Sequence, residues 1–231
     1  AAPPAAAAAP PAKASSSLWQ RLDGALGGFK SAFRGAGARV LVLRLVYGFL
    51  MRASYALHGV YEQERFELTP SSSGMLSSYK QALSLLLNTF LIGHLAKRLP
   101  ARTLLRLTIA VSALNSLLEG ATAALPAAAF YVYALLNLPV SAICGALLRT
   151  MLATLFSEAV PTRDAGSALS VFDVLSSASG VLAPLYNGFF LGRFGVGAQP
   201  LIACAHYVGI LAVAQYALAE HTAPPPKGKQ E

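Results

Sequence analysis

Five ionisable side chains stand inside apolar stretches of this sequence: Arg52, Lys80, Glu119, Arg149 and Asp173. Charges are costly to hold in hydrocarbon, so each is a candidate for substrate binding or for coupling to an ion. Arg149 and Asp173 each lie twelve residues from Pro161, which predicts a shared level on an antiparallel hairpin. Lys80 and Glu119 lie about twenty residues to either side of Pro100, and share a second level near the opposite end. Each pair reads in two ways. It is a structural pair or a set of snorkelling side chains, or it is a gate or a proton-coupling carboxylate beside a cation. Arg52 has no evident partner at its depth and sits beside Tyr47 and Tyr55, so both a cavity-facing role and a structural contact stay open.

The surrounding composition explains why these charges stand out. The chain has 231 residues, 55% hydrophobic and only 12% charged, with a mean hydropathy of +0.53. A soluble domain carries roughly 25% charged residues, so an integral membrane protein is expected. The net charge of +8 would suit a nucleic-acid partner. The basic residues cluster at the ends of apolar spans instead of on one face, which argues against one. Cys144 and Cys204 sit within apolar runs and read as small core residues. His58, His94 and His206 are isolated and lack zinc-like spacing, so packing or interface roles are favoured over metal ligation. No Gly-rich phosphate loop or nucleotide motif is present, and neither metal nor cofactor is expected.

Taken in order, residues 1–17 are an Ala/Pro/Ser-rich stretch read as disordered linker, with a transit-peptide remnant as the alternative. Residues 18–38 place Leu18, Trp19, Leu22, Leu26, Phe29 and Phe33 at helical spacing between Arg21, Lys30 and Arg34. That pattern predicts an amphipathic helix on a membrane surface. A six-helix transmembrane bundle is then expected over 39–219. Its spans are near 40–60, 75–95, 107–125, 127–148 (or on to 156), 169–191 and 201–219, each close to the ~20 residues that cross a bilayer. Residues 220–231 form a tail.

Orientation follows from Lys and Arg. With both termini inside, the inner segments 1–39, 97–106, 157–165 and 220–231 hold twelve, and the outer segments 61–74 and 192–200 hold two. Cationic residues are retained on the cytoplasmic side, so both termini are expected there. This places the Arg149–Asp173 level near the inner face and the Lys80–Glu119 level toward the outer one. The composition does not identify the membrane.

Two loops carry a resemblance. Gly93-x-Leu-Ala-Lys97-Arg98-x-Pro-Ala-Arg102 resembles the G-x-L-A-D-R-x-G-R-R loop signature of the major facilitator superfamily. Lys97, Pro100 and Ala101 depart from that signature. Glu158-x-x-Pro161-x-Arg163-x-x-Gly166 is similar to a later loop of the same six-helix half, and Gly180-x-x-x-Pro184-x-x-x-Gly188 to its penultimate helix. The resemblance covers about residues 18–220, and is greatest to drug:proton antiporters and to organic cation transporter-like members of solute carrier family 22. It implies an all-α, polytopic C-terminal half of a twelve-helix transporter. Such a half works with an N-terminal six-helix half, from a longer chain or a second copy, and with the lipid bilayer. The implied activity is alternating-access transport of a small organic solute, a cation or drug-like amphiphile, with or without proton coupling. A non-transporting scaffold or truncated paralogue is the alternative.

An enzyme is not expected, although one remote reading exists. Ser179-Gly180 and Ala205-His206-x-x-Gly209 are similar to fragments of the Ser–His dyad of rhomboid intramembrane proteases, where the Ser is the nucleophile. The element lacks its first Gly, and the two residues fall on consecutive helices. For the transport reading, Arg52→Ala is expected to abolish uptake while membrane expression stays intact. Unchanged uptake would remove Arg52 from the site.

Overall fold

Helix α1, Gly35–Arg65, runs for 31 residues, about 46 Å at the helical rise and well beyond the ~30 Å of a hydrocarbon core. It opens the computed structural model, which describes residues 35–87, 89–90, 93–122, 129–159 and 165–219. The linker and tail expected at the termini lie outside the described residues. So does the amphipathic segment, apart from residues 35–38, which already belong to α1. The remaining elements are α2 (Pro70–Leu87), α3 (Gly93–Arg98), α4 (Ala101–Ala121), α5 (Ala129–Val132), α6 (Leu138–Ala159), α7 (Ala165–Phe194) and α8 (Gln199–Ala219). A π turn, Tyr133–Asn137, joins α5 to α6. Among the described residues there is no strand.

Four stretches are long and apolar enough to cross a membrane: Ala38–Arg65, Ala101–Ala121, Ala129–Ala159 and Val196–Leu218. The other two expected spans are helical as α2 and α7 but are not among these four. In α2, Lys80, Gln81 and six serines interrupt the apolar sequence. Thr89 and Phe90 are again helical, and α3 follows at Gly93, so helix recurs through the expected segment. Helix α7 covers the whole expected segment 169–191, with Pro184 inside it.

Local chemistry sets several boundaries. After α1, Glu67 takes a left-handed φ of 48°. Thr69 Oγ1 then accepts from the Ser72 amide at 3.2 Å, capping α2 ahead of a first-turn Pro70. Gly195, at φ 73°, turns the chain from α7 through Val196–Ala198 into α8, a conformation that strains residues with a Cβ. In α4, the hydroxyls of Thr108, Ser112 and Ser116 each return a hydrogen bond to the carbonyl four residues before, at 2.7–3.1 Å. Their polarity is thereby satisfied on a buried face. Small side chains there let α4 pack closely on α8 and α6.

The bundle has an apolar end and a polar end. Leu41, Leu43 and Tyr47 of α1, Leu105 and Ile109 of α4, Leu148 and Met151 of α6, and Ile210 and Ala214 of α8 form the main core. At the end where α4 begins, Arg102 and Glu158 line one recess of about 150 Å³, so the two loop motifs meet on the same face. At the other end the helices bury Glu62, Asn115, Glu119, Asn137 and Gln199. The π turn positions one link there. Asn115 Nδ2 donates to the Asn137 carbonyl, and Asn137 Nδ2 donates to the Asn115 carbonyl, both at 3.2 Å. The Leu138 amide bonds back to the Tyr133 carbonyl, and Pro139, which follows, has no amide to donate. Asn137→Ala removes one side of this buried pair and is expected to cost about 1–3 kcal/mol. Its thermal midpoint in detergent should fall below that of the parent protein.

Candidate functional site

The polar end holds a connected ion cluster. Lys80 Nζ of α2 and the Tyr133 hydroxyl of the π turn both donate to Glu62 Oε1 of α1. His58, one helical turn before Glu62, places Nε2 3.1 Å from that oxygen and 2.9 Å from the Tyr133 hydroxyl. Its Nδ1 lies 3.5 Å from Glu119 Oε1 of α4. That oxygen is buried without a hydrogen-bond donor. Glu62 is 7% exposed, Glu119 6% and Tyr133 1%. Burying each such ion costs several kcal/mol unless partners compensate. Two carboxylates here face one lysine, so one further proton on His58 or Glu119 brings the cluster to neutrality.

The surrounding turns explain this geometry. Phe66 and Leu68, in the turn after α1, pack against Leu76, Tyr133 and Leu138. The Phe66 ring lies 4.9 Å from that of Tyr133. Tyr79 donates to the Ala134 carbonyl at 3.3 Å, tying α2 to the π turn one residue before Lys80. Arg65 caps the end of α4 by donating to the Thr122 carbonyl at 3.3 Å.

Two hollows meet at His58. One is a small hollow of about 40 Å³ between α1, α4, α6 and α8, lined by Ser54, Asn115, Glu119 and Gln199 among others. Such a polar lining admits water. The other is a cleft of about 300 Å³ between α1, α2 and α6, lined by Lys80, Gln81, Ser84 and Arg149. Tyr55, His58 and Ser141 line both, so they form the wall between cavity and cleft. A further hollow of about 280 Å³ lies along Tyr47, Met51, Arg52, Tyr55 and Arg149.

The expected pairings are rearranged. Lys80 and Glu119 do reach one cluster, but Lys80 bonds Glu62 and His58 stands against Glu119. Equal depth fixes a level along the bundle axis and leaves open which neighbour a side chain turns toward. Glu62 was expected in an outer loop; α1 continues past it and buries it. His58, expected to be a packing residue, is the centre of the cluster. The His58-x-x-x-Glu62 spacing, one helical turn, was the available signal.

Arg149 does not pair with Asp173. It makes no hydrogen bond or ion pair among the described residues, while Asp173 is exposed and electrostatically coupled to Arg44. Arg44, absent from the five sequence candidates, also lies 5.0 Å from the Phe156 ring centroid. Arg52 has a partner after all, donating to the Ser176 carbonyl of α7 at 2.7 Å. Gly180, one turn later, makes room for it, since a Cβ there would meet Arg52 Nη1 at 2.6 Å.

Of the loop residues, Gly93, Lys97, Arg98, Glu158 and Gly166 are exposed and Arg102 is half-buried. Pro161 and Arg163 lie outside the described residues. His94 is exposed. His206 is buried, with Ser54 Oγ at 2.7 Å from Nδ1 and the Tyr186 hydroxyl at 2.6 Å from Nε2. It therefore ties α1, α7 and α8 together, and its ring nitrogens do not engage Ser179. Cys144 and Cys204 are free thiols. Among the described residues no three His, Cys, Asp or Glu side chains are placed to hold a metal.

No protein-family model, curated protein or solved structure matches this chain. Gly180→Ala tests the Arg52 seat. It should leave the thermal midpoint in detergent near the parent value, because the flexible guanidinium can move aside. For the transport reading, it should also lower uptake in the same direction as Arg52→Ala.

Proposed function

We propose that this chain moves a small organic solute across a membrane as the C-terminal half of an alternating-access secondary transporter. In this reading α2 and α7 join the four apolar stretches as spans. A second six-helix half, from a longer chain or a second copy, closes the opposite wall of the cleft. One observation carries the proposal: His58 touches both carboxylates of a buried ion cluster at the wall between a small polar hollow and a larger cleft. Charges held at such depth are costly, and a purely structural bundle gains little from carrying them.

The arrangement also gives a means of proton coupling. A proton shared between His58 and Glu119 balances the cluster while Lys80 stays on Glu62. Drawing Lys80 into the cleft toward a solute would uncover Glu62, and a second proton would then offset the lost cation. Solute entry and protonation are linked in that exchange, as rocking of two halves around a central site requires. The packing agrees with a one-walled site, because α1, α2 and α6 alone line the cleft and α4 with α8 contributes none of its surface.

The test is uptake into vesicles carrying the protein in its full natural chain, under an imposed pH gradient. Accumulation driven by the gradient is expected in the parent protein. Glu119→Gln should reduce it to the level without a gradient while solute exchange continues. Absence of any saturable uptake by the parent would favour the non-transporting scaffold.

A further inference from the structure

We propose that the cleft between α1, α2 and α6 binds the anionic group of a small aromatic or amphiphilic acid. This rests on the transport reading and gives its substrate class. The resemblance in the loops implies an organic cation or a drug-like amphiphile, and the lining favours an anionic one. Lys80 and Arg149 both face the cleft, and its lining holds no carboxylate. Arg52 lines the adjoining hollow, which shares Tyr55 and Arg149 with the cleft and also lacks an acid. Glu62 already balances Lys80, so Arg149 is the cation of the lining left without a counter-ion, and it disfavours a second cation beside it.

Arg149 is the anchor. Its side chain is exposed and makes no hydrogen bond or ion pair among the described residues. A guanidinium offers a planar fork of donors that matches a carboxylate, phosphate or sulfonate. The local sequence keeps a hydroxyl beside it. Gly145, one turn before Arg149, lets Tyr55 approach α6, since a Cβ there would lie 3.2 Å from the Tyr55 hydroxyl. Ser141, a further turn back, also lines the cleft. Tyr47 and Tyr55 supply aromatic walls next to these donors, and about 300 Å³ is the lower range of small-ligand pockets.

An anionic lipid headgroup has the same chemistry as a free organic acid, so the experiment separates them. The probes are carboxyfluorescein and a cationic rhodamine ester, which share a xanthene frame and differ in charge. The protein, in its full natural chain, is placed in phosphatidylcholine nanodiscs for binding and in vesicles for uptake. Saturable binding and uptake of carboxyfluorescein are expected, with the rhodamine excluded. Arg149→Ala should weaken binding about ten- to a hundredfold, the loss of a charge-assisted hydrogen bond. Arg149→Lys should restore part of it.

Uptake of the rhodamine and not of the acid would overturn the anion assignment and leave transport standing. Saturable acid binding without uptake of either dye would support the anion site and overturn transport. Equal acid binding by the parent and Arg149→Ala would overturn the site as placed here. Displacement of the dye by phosphatidylglycerol but not by benzoate would assign the cleft to lipid headgroups and overturn the solute.

Discussion

Glu62 is the group on which the polar end of the bundle depends. One of its oxygens collects Lys80 from α2, the Tyr133 hydroxyl from the π turn and His58 from its own helix. Take that oxygen away and Lys80 loses its acceptor, while Tyr133 and His58 keep only each other on that side. The position of α2 depends on it too. That helix packs mainly on α6, and its serine-rich sequence offers little apolar surface to hold it there. The ion cluster, the Tyr79 link and the aromatic packing of Phe66 together hold α2 in place, and the cleft exists because α2 stands where it does.

The two ends of the molecule therefore divide the work. The end with Leu41, Leu105 and Leu148 is a well-filled apolar core, of the kind that gives a bundle its rigidity. The opposite end carries nearly all the buried polarity, the cavity and the cleft. His206 lies between the regimes as a three-helix tie with both ring nitrogens used. Whichever tautomer it adopts, one nitrogen donates and the other accepts, so the tie survives a tautomer change. His58 has a different position. Its nitrogens face carboxylates on two separate helices, and the charge of the cluster turns on where its proton sits.

Helical character was legible in the sequence, because apolar run length is a one-dimensional signal. Lys80 and Glu119 reach one cluster as their shared level suggests, whereas Arg149 lines the cleft with Lys80 and does not meet Asp173. Azimuth was not legible. Which neighbour Lys80 turns toward depends on how α1, α2 and α4 are rotated about their axes, and a count of residues from a loop contains no such angle. Glu62 was hidden for a different reason. Glu64, Arg65 and Glu67 around it have the composition of a loop, and only the extra turn of α1 brings Glu62 inside. Arg44 was passed over within the first apolar run. The π turn left little trace beyond Pro139, since one wide turn scarcely disturbs the spacing of apolar residues.

That wide turn contains slack. A π turn holds one more residue than the α turn it replaces. Were it to tighten, the segment on one side would swing by about 100° and slide about 1.5 Å relative to the other. Tyr133 and Asn137 lie at its two ends, and each is fastened elsewhere, one to Glu62 and the other to Asn115. At least one of the two fastenings must break in such a swing. Glu62 and Asn115 are thus the two anchors between which the wide turn is held.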